Sequence, residues 1–230
     1  TTTTMTHMEK TLPHPSGLSF RTIAGVFKLR IGVVITFTAL AGLAVSPGPA
    51  LSLLQLLVLT LSVLVSSASA GAFNQYYEHD SDHLMARTSK RPFVTGELRH
   101  GPIWLLVIGA LMALSVGAAW IALNAWSALF VFLGAFFYAI VYTVWLKRRT
   151  WLNIVFGGLA GSWAVLAGAT AADPQLRAVP LALALAVGTV RTNLFRLRYW
   201  VAFLPPLAAL AALGIVAVAG EDFESGLKGR

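Results

Sequence analysis

Apolar stretches long enough to cross a bilayer recur along this chain, and a bilayer leaves a crossing backbone few choices. In hydrocarbon every N–H and C=O must be satisfied inside the protein, so only helices and closed barrels span it. A barrel needs segments of about ten residues with alternating polarity, and no such pattern occurs here. The stretches are continuously apolar and close to the roughly 20 residues that a helical crossing needs. Composition agrees, since 57% of the 230 residues are hydrophobic and 11% charged, against roughly 25% charged in a soluble domain. The expected fold is all-α, a polytopic transmembrane helical bundle.

Seven spans are expected, at 23–45, 51–73, 103–123, 125–146, 152–172, 178–190 and 199–219, with the turn "SPGP" at 46–49 between the first two. Residues 1–22 read as a disordered cytoplasmic tail without a signal-peptide pattern. Residues 23–219 form the membrane domain and 220–230 a short non-cytoplasmic tail. Charge supports the map. Of 17 basic residues, 14 fall on one side of it: Lys10, Arg21, Lys28 and Arg30 at the start, Arg87, Lys90, Arg91 and Arg99 after the second span, Lys147, Arg148 and Arg149 after the fourth, Arg191, Arg196 and Arg198 after the sixth. Arg177, Lys228 and Arg230 fall on the other. The positive-inside rule makes the first side cytoplasmic, and a bacterial inner membrane is the expected location. The net charge of +8 then reports topology and contact with anionic lipid, and no nucleic acid partner is expected. Cysteine is absent, which excludes disulfides, thiolate metal sites and a cysteine nucleophile.

One run breaks this pattern. "YEHDSD" at 77–82 holds Glu78, Asp80 and Asp82, three of only 9 acidic residues. Asn74, Glu78 and Asp82 are spaced i, i+4, i+8 and share one helix face, whereas Asp80 points elsewhere unless the helix loosens. Oxygen ligands gathered at a cytoplasmic helix end suit a hard divalent cation, and magnesium is usually held by one or two carboxylates together with substrate phosphates. The plainer alternative is a solvated helix end. Arg87 and Arg91, also four apart, and a second basic knot at Lys147 and Arg148 favour a site for metal, phosphate or both. By default such cations are topology signals. Beside them, Asn153 opens a glycine-rich stretch suited to close helix packing. His79 and His83 are i, i+4 but read better as solvated or supporting side chains than as iron or zinc ligands.

The segment "NQYYEHDSDHLMARTSKRPFVTG" at 74–96 resembles the first aspartate-rich motif of the UbiA superfamily of intramembrane aromatic prenyltransferases, in the form found in its protoheme IX farnesyltransferase (haem O synthase) branch. "YTVWLKRRTWLNIVFGGLAG" at 142–161 resembles that branch's next block, "FKLRIGVVITFTALAG" at 27–42 its first helix, and "NLFRLRYWVAFL" at 193–204 its last. There are departures. Leu29 stands where proline is usual, Glu78 and His79 where aspartate and arginine are usual, and Ser81 where an apolar residue is usual. After Gly168 a P-P-H-F-W segment and a block carrying the second acidic motif are expected and not found. The shorter chain reads as an internal loss of about two spans.

The resemblance implies magnesium-dependent transfer of a farnesyl group from farnesyl diphosphate to haem B or a related aromatic acceptor. On that basis Mg2+ falls to Asn74, Glu78, Asp80 and Asp82, and the phosphates to Arg87, Arg91, Lys147 and Arg148. Tyr77, Tyr142 and Asn153 are placed around the substrate, and Tyr76, Phe137 and Tyr138 join the tyrosines that shield an allylic cation through their ring faces. Two other readings stay open. One is a non-catalytic paralogue that binds isoprenoid diphosphate or haem in cytochrome oxidase assembly. The other is a transporter or lipid-binding scaffold. A homo-oligomer in which a second copy lends carboxylates is a further possibility.

Overall fold

The computed structural model describes residues 19–195 apart from 148, 151, 152 and 176. The helices are α1 (Phe20–Val26), α2 (Leu29–Ala44), α3 (Leu53–Asp82), α4 (Pro92–Thr95), α5 (Ile103–Ala122), α6 (Ala125–Phe136), α7 (Asn153–Ala172) and α8 (Ala178–Phe195). After Phe136 the α6 helix continues with π winding over Phe137–Leu146. No strand occurs among the described residues. Leu53–Asp82, Ile103–Ala122 and the continuous Ala125–Leu146 are each long and apolar enough to cross a bilayer, and Leu29–Ala44, Phe156–Ala172 and Ala178–Gly188 are shorter apolar helices. The chain is an all-α integral membrane protein.

Three expected boundaries move. The span at 23–45 is two helices, broken at Phe27–Lys28, because Lys28 adopts a left-handed conformation (φ 48°, ψ 42°) that no α-helix continues through. Helix begins at Phe20, inside the tail expected at 1–22. The span at 51–73 runs on to Asp82, so the acidic run is helical. The span expected at 199–219, with the tail after it, lies outside the described residues.

Helix starts follow local chemistry. Ser52 caps α3 in a reciprocal box, its Oγ accepting from Gln55 N at 3.3 Å while Gln55 Oε1 accepts from Ser52 N at 3.0 Å. Asn124 caps α6 through Ser127 N at 2.9 Å and with its amide donates to Thr170 O on α7 at 2.7 Å. The α7–α8 turn is closed by Asp173, whose carboxyl lies below the usual range because Gln175 N–H and Arg177 both donate to it.

Helix α2 packs on α3 and α7, α3 on α5 and α6, and α6 on α7, with α8 against the outside of α7. Lipid offers no hydrophobic drive between helices, so association rests on close approach and interhelical hydrogen bonds. Both are present. A Cβ at Gly42 would meet Val165 O at 2.1 Å, and one at Gly168 would meet Ala39 O at 1.8 Å, so α2 and α7 cross in backbone contact. Ser66 donates to Val131 O at 3.1 Å, Ser69 to Ile108 O at 2.7 Å and Ser127 to Ala167 O at 2.8 Å.

Candidate active site

Helix α3 is 30 residues long, about 45 Å, and overshoots a hydrocarbon core of roughly 30 Å by about ten residues. Those last residues carry the polar cluster. At the same end lie the α1–α2 break, the end of the π segment and the start of the loop to α5. Four elements therefore bring charge to one place.

Glu78 and Asp82 are 3% and 0% exposed, and Asn74 is 1% exposed, so the i, i+4, i+8 face points into protein. A solvated helix end is excluded for these three. Each buried carboxylate is paired. Lys147 Nζ donates to Glu78 Oε1, Arg91 donates to Asp82 Oδ2, and Arg91 also approaches Glu78 Oε2 at 3.5 Å. Thr88 Oγ1 donates to the Asp82 carbonyl at 2.9 Å, tying the loop to the helix end. Lys28 Nζ donates to Asn74 Oδ1 and to Tyr138 OH, the latter at 3.1 Å. Asn74 Nδ2 donates to Thr143 Oγ1 at 3.1 Å, and Thr143 donates to Tyr138 O at 2.8 Å. Five charged side chains, two acidic and three basic, thus line up along the Asn74–Asp82 face of α3, with Glu78 at the centre.

The π winding decides who faces the cluster. With i→i+5 bonds such as Lys147 N to Tyr142 O at 3.0 Å, a turn takes roughly 4.4 residues. Tyr138, Tyr142, Thr143 and Lys147 then fall in register along one side. In an α-helix Leu146 would take the position that Lys147 holds. Tyr138 and Tyr142 stack at 5.4 Å, and Lys28 and Lys147 ammonium groups lie 5.6 and 5.8 Å from their respective ring centres. Thr143→Val strands the buried Asn74 amide, at a cost of about 1–3 kcal/mol. A drop of several degrees in the detergent melting temperature is the expected readout.

Other expected residues stand apart. Asp80, about 200° round the helix from Glu78, has a side chain 83% exposed and pairs with His79 at 3.0 Å. Tyr77 is 40% exposed and stacks on Phe73. Arg87 is exposed, outside the hydrogen-bonded cluster. Asn153 begins α7 at the same end and is half-buried. Arg148 lies outside the described residues. His79 stacks on His100 at 3.6 Å, and His100 on Tyr76 at 4.1 Å, in a column beside the cluster. Sequence reasoning missed Lys28 as a site residue, treating it as topology charge, and missed Thr88 and Thr143. A cation inside an expected span is itself a functional signal.

Below the cluster an apolar cleft opens between α2, α3, α6 and α7, about 600 Å³ with its open side included, and Lys28 and Tyr138 line one end of it. Its upper walls are small, including Gly71, Gly134, Gly157 and Ala160. Gly71 makes room for Lys28, whose Cβ would sit 3.3 Å from a Cβ added there.

The donor set suits a hard divalent ion. Asn74, Glu78 and Asp82 offer only oxygen acceptors and an amide, and Asp82 Oδ1 is buried without a hydrogen-bond partner among the described residues. Such an acceptor carries a desolvation cost unless a donor or cation meets it. No group of three or more His, Cys, Asp or Glu among the described residues is arranged to hold a metal. An ion here would rest on two carboxylates, an amide oxygen and its ligand's phosphates, an arrangement usual for magnesium.

An apolar cleft between membrane helices, joined through Lys28 and Tyr138 to a buried acid–base cluster, is consistent with what sequence comparison gives. The chain belongs to the UbiA prenyltransferase family, whose sequence model matches residues 35–199. Within the family it is similar to protoheme IX farnesyltransferases. It is 53% identical over 167 residues to protoheme IX farnesyltransferase 2 of Paramagnetospirillum magneticum, covering 73% of this chain and 58% of the relative. It is 38% identical over 169 residues to the protoheme IX farnesyltransferase of Caldivirga maquilingensis, covering 73% and 59%. The chain thus spans less than two thirds of the length of these relatives. Its fold is similar to that of a UbiA homolog from Archaeoglobus fulgidus bound to GPP and Mg2+, with a TM-score of 0.68 at 20% identity, covering 86% of this chain and 77% of that one.

Proposed function

We propose that this chain transfers a farnesyl group from farnesyl diphosphate to haem B, with the polar end of the bundle at the cytoplasmic face of a bacterial inner membrane. The observation that carries the reading is the paired burial of Glu78 and Asp82 with Arg91 and Lys147, in a cluster that Lys28 joins to the end of an apolar cleft through Asn74. Similarity to relatives named for this reaction supports it, and the side on which 14 basic residues fall supports the orientation.

Ionisation of an allylic diphosphate breaks the bond from C1 to oxygen and leaves the electron pair on the diphosphate. The haem vinyl group then supplies the pair for a bond to C1, and the cation so formed on haem takes up water and loses a proton. Arg91, Lys147 and Lys28 are the side chains within reach of the charge developing on the diphosphate, Arg91 as a planar fork and the lysines as point charges. Magnesium, when bound by Asn74, Glu78 and Asp82, would supply Lewis-acid stabilisation of the same leaving group. The stacked rings of Tyr138 and Tyr142 stand beside the cationic carbon's path and keep water from it. The cleft's apolar walls take the isoprenoid tail.

Purified protein given farnesyl diphosphate, magnesium and haem B should yield haem O, read by mass. Bound diphosphate without product would favour the non-catalytic reading. The two-carboxylate limit of the cluster makes that reading the runner-up. Magnesium-independent behaviour would favour a transporter or lipid-binding scaffold.

A further inference from the structure

The cleft has a floor. Its walls cover Lys28 and residues 31–35 of α2, 63–71 of α3, 130–138 of α6 and its π continuation, and 157–164 of α7. At 1.5 Å of rise per residue this is a depth of about 10–12 Å. Past that depth the bundle closes. Gly42 and Gly168 bring α2 and α7 into backbone contact, and Ser127 and Asn124 bind α6 to α7. The deepest lining residue on α6 is Phe130, 5% exposed, its ring stacked on Trp163 at 5.8 Å and on Trp126 at 6.3 Å. A ring held on two sides cannot swing away cheaply, because packed interiors resist displacement.

We infer that Phe130, backed by the glycine crossing, limits the prenyl chain this cleft accepts to three isoprene units. The inference rests on the reading of the polar cluster as a diphosphate site. Each unit adds four carbon–carbon bonds, about 5 Å when extended. Two units fill the space between Lys28 and Phe130, and the first unit lies at the mouth beside the cationic side chains. A fourth unit continuing along the cleft meets the Phe130 ring. Halfway down the α3 wall sits Ser67, half-buried and facing the same space, so a larger side chain there raises the floor.

The test is equilibrium binding, without turnover, of geranyl, farnesyl and geranylgeranyl diphosphates with magnesium to the detergent-solubilised chain. The unaltered protein should prefer farnesyl to geranylgeranyl by about tenfold or more, the discrimination that a few misplaced methylenes give. Phe130→Ala should erase that preference by admitting the longer chain. Ser67→Leu, from a position with room to accept it, should weaken farnesyl about tenfold relative to geranyl, and carries the test alone if Phe130→Ala does not fold. Equal binding of all three lengths by the unaltered protein and by Ser67→Leu overturns the length limit while leaving the diphosphate site standing. Binding of none of them by the unaltered protein overturns the site itself and the length limit with it.

Discussion

Asp82→Asn is expected to abolish magnesium-dependent binding of an isoprenoid diphosphate, weakening it by about a hundredfold or more, the scale of losing one preorganised electrostatic partner in a dry site. Asp82 is fully buried, holds Arg91 through Oδ2 and leaves Oδ1 without a hydrogen-bond partner among the described residues. An amide removes the charge that a bound magnesium would meet and leaves Arg91 with only the longer contact to Glu78. Asp80→Asn, two residues away and exposed, should change nothing. Isothermal titration with and without magnesium reads both. Unchanged affinity in Asp82→Asn, with the melting temperature preserved, would remove Asp82 from the metal set. Equal losses in the two variants would show that only net charge near the mouth matters.

The second large effect concerns the helix crossing. Gly168→Ala puts a methyl 1.8 Å from Ala39 O, against backbone that has no rotamer to change. Separating α2 from α7 should cost about 3 kcal/mol or more, roughly 6–12 °C of apparent melting temperature in detergent for a chain of this size. Gly109→Ala is the matched control, since nothing lies within 4 Å of a Cβ there and alanine is the better helix former by about 1 kcal/mol. A Gly168→Ala protein as stable as the unaltered chain would mean that α2 and α7 do not touch as described.

Much of this was legible beforehand, and the reasons are local. The spacing of Asn74, Glu78 and Asp82 required only that the helix continue past the membrane, which it does to Asp82. Continuous apolar stretches mark the helices, because a barrel, the other structure that crosses lipid, needs alternating ones. What the letters did not carry was winding and direction. Nothing in "FYAIVYTVWL" announces a π-helix, yet that winding turns Lys147 and Thr143 toward α3 together. Lys28 was counted with the topology charges, because a left-handed residue between two helices has no sequence mark when it is not glycine. Tyr77 shares the acidic run, but helix geometry turns it to the outside, whereas Arg87, read with Arg91 four residues on, lies exposed in the turns after α3, within electrostatic reach of Tyr142. Arg91 was separated from the cluster by a loop, and Thr88 anchoring that loop to Asp82 is what returns it.

The Gly42–Gly168 crossing has one more implication. Helices α2 and α7 are fused backbone to backbone at one end, while at the other they diverge around the cleft and the mouth is held by side-chain contacts such as Lys28 to Asn74 and Tyr138. This is the construction of tweezers, stiff at the joint and compliant at the tips. Any widening of the cleft would therefore come at the end that Lys28 ties to Asn74 and Tyr138, while the joint beneath stays shut.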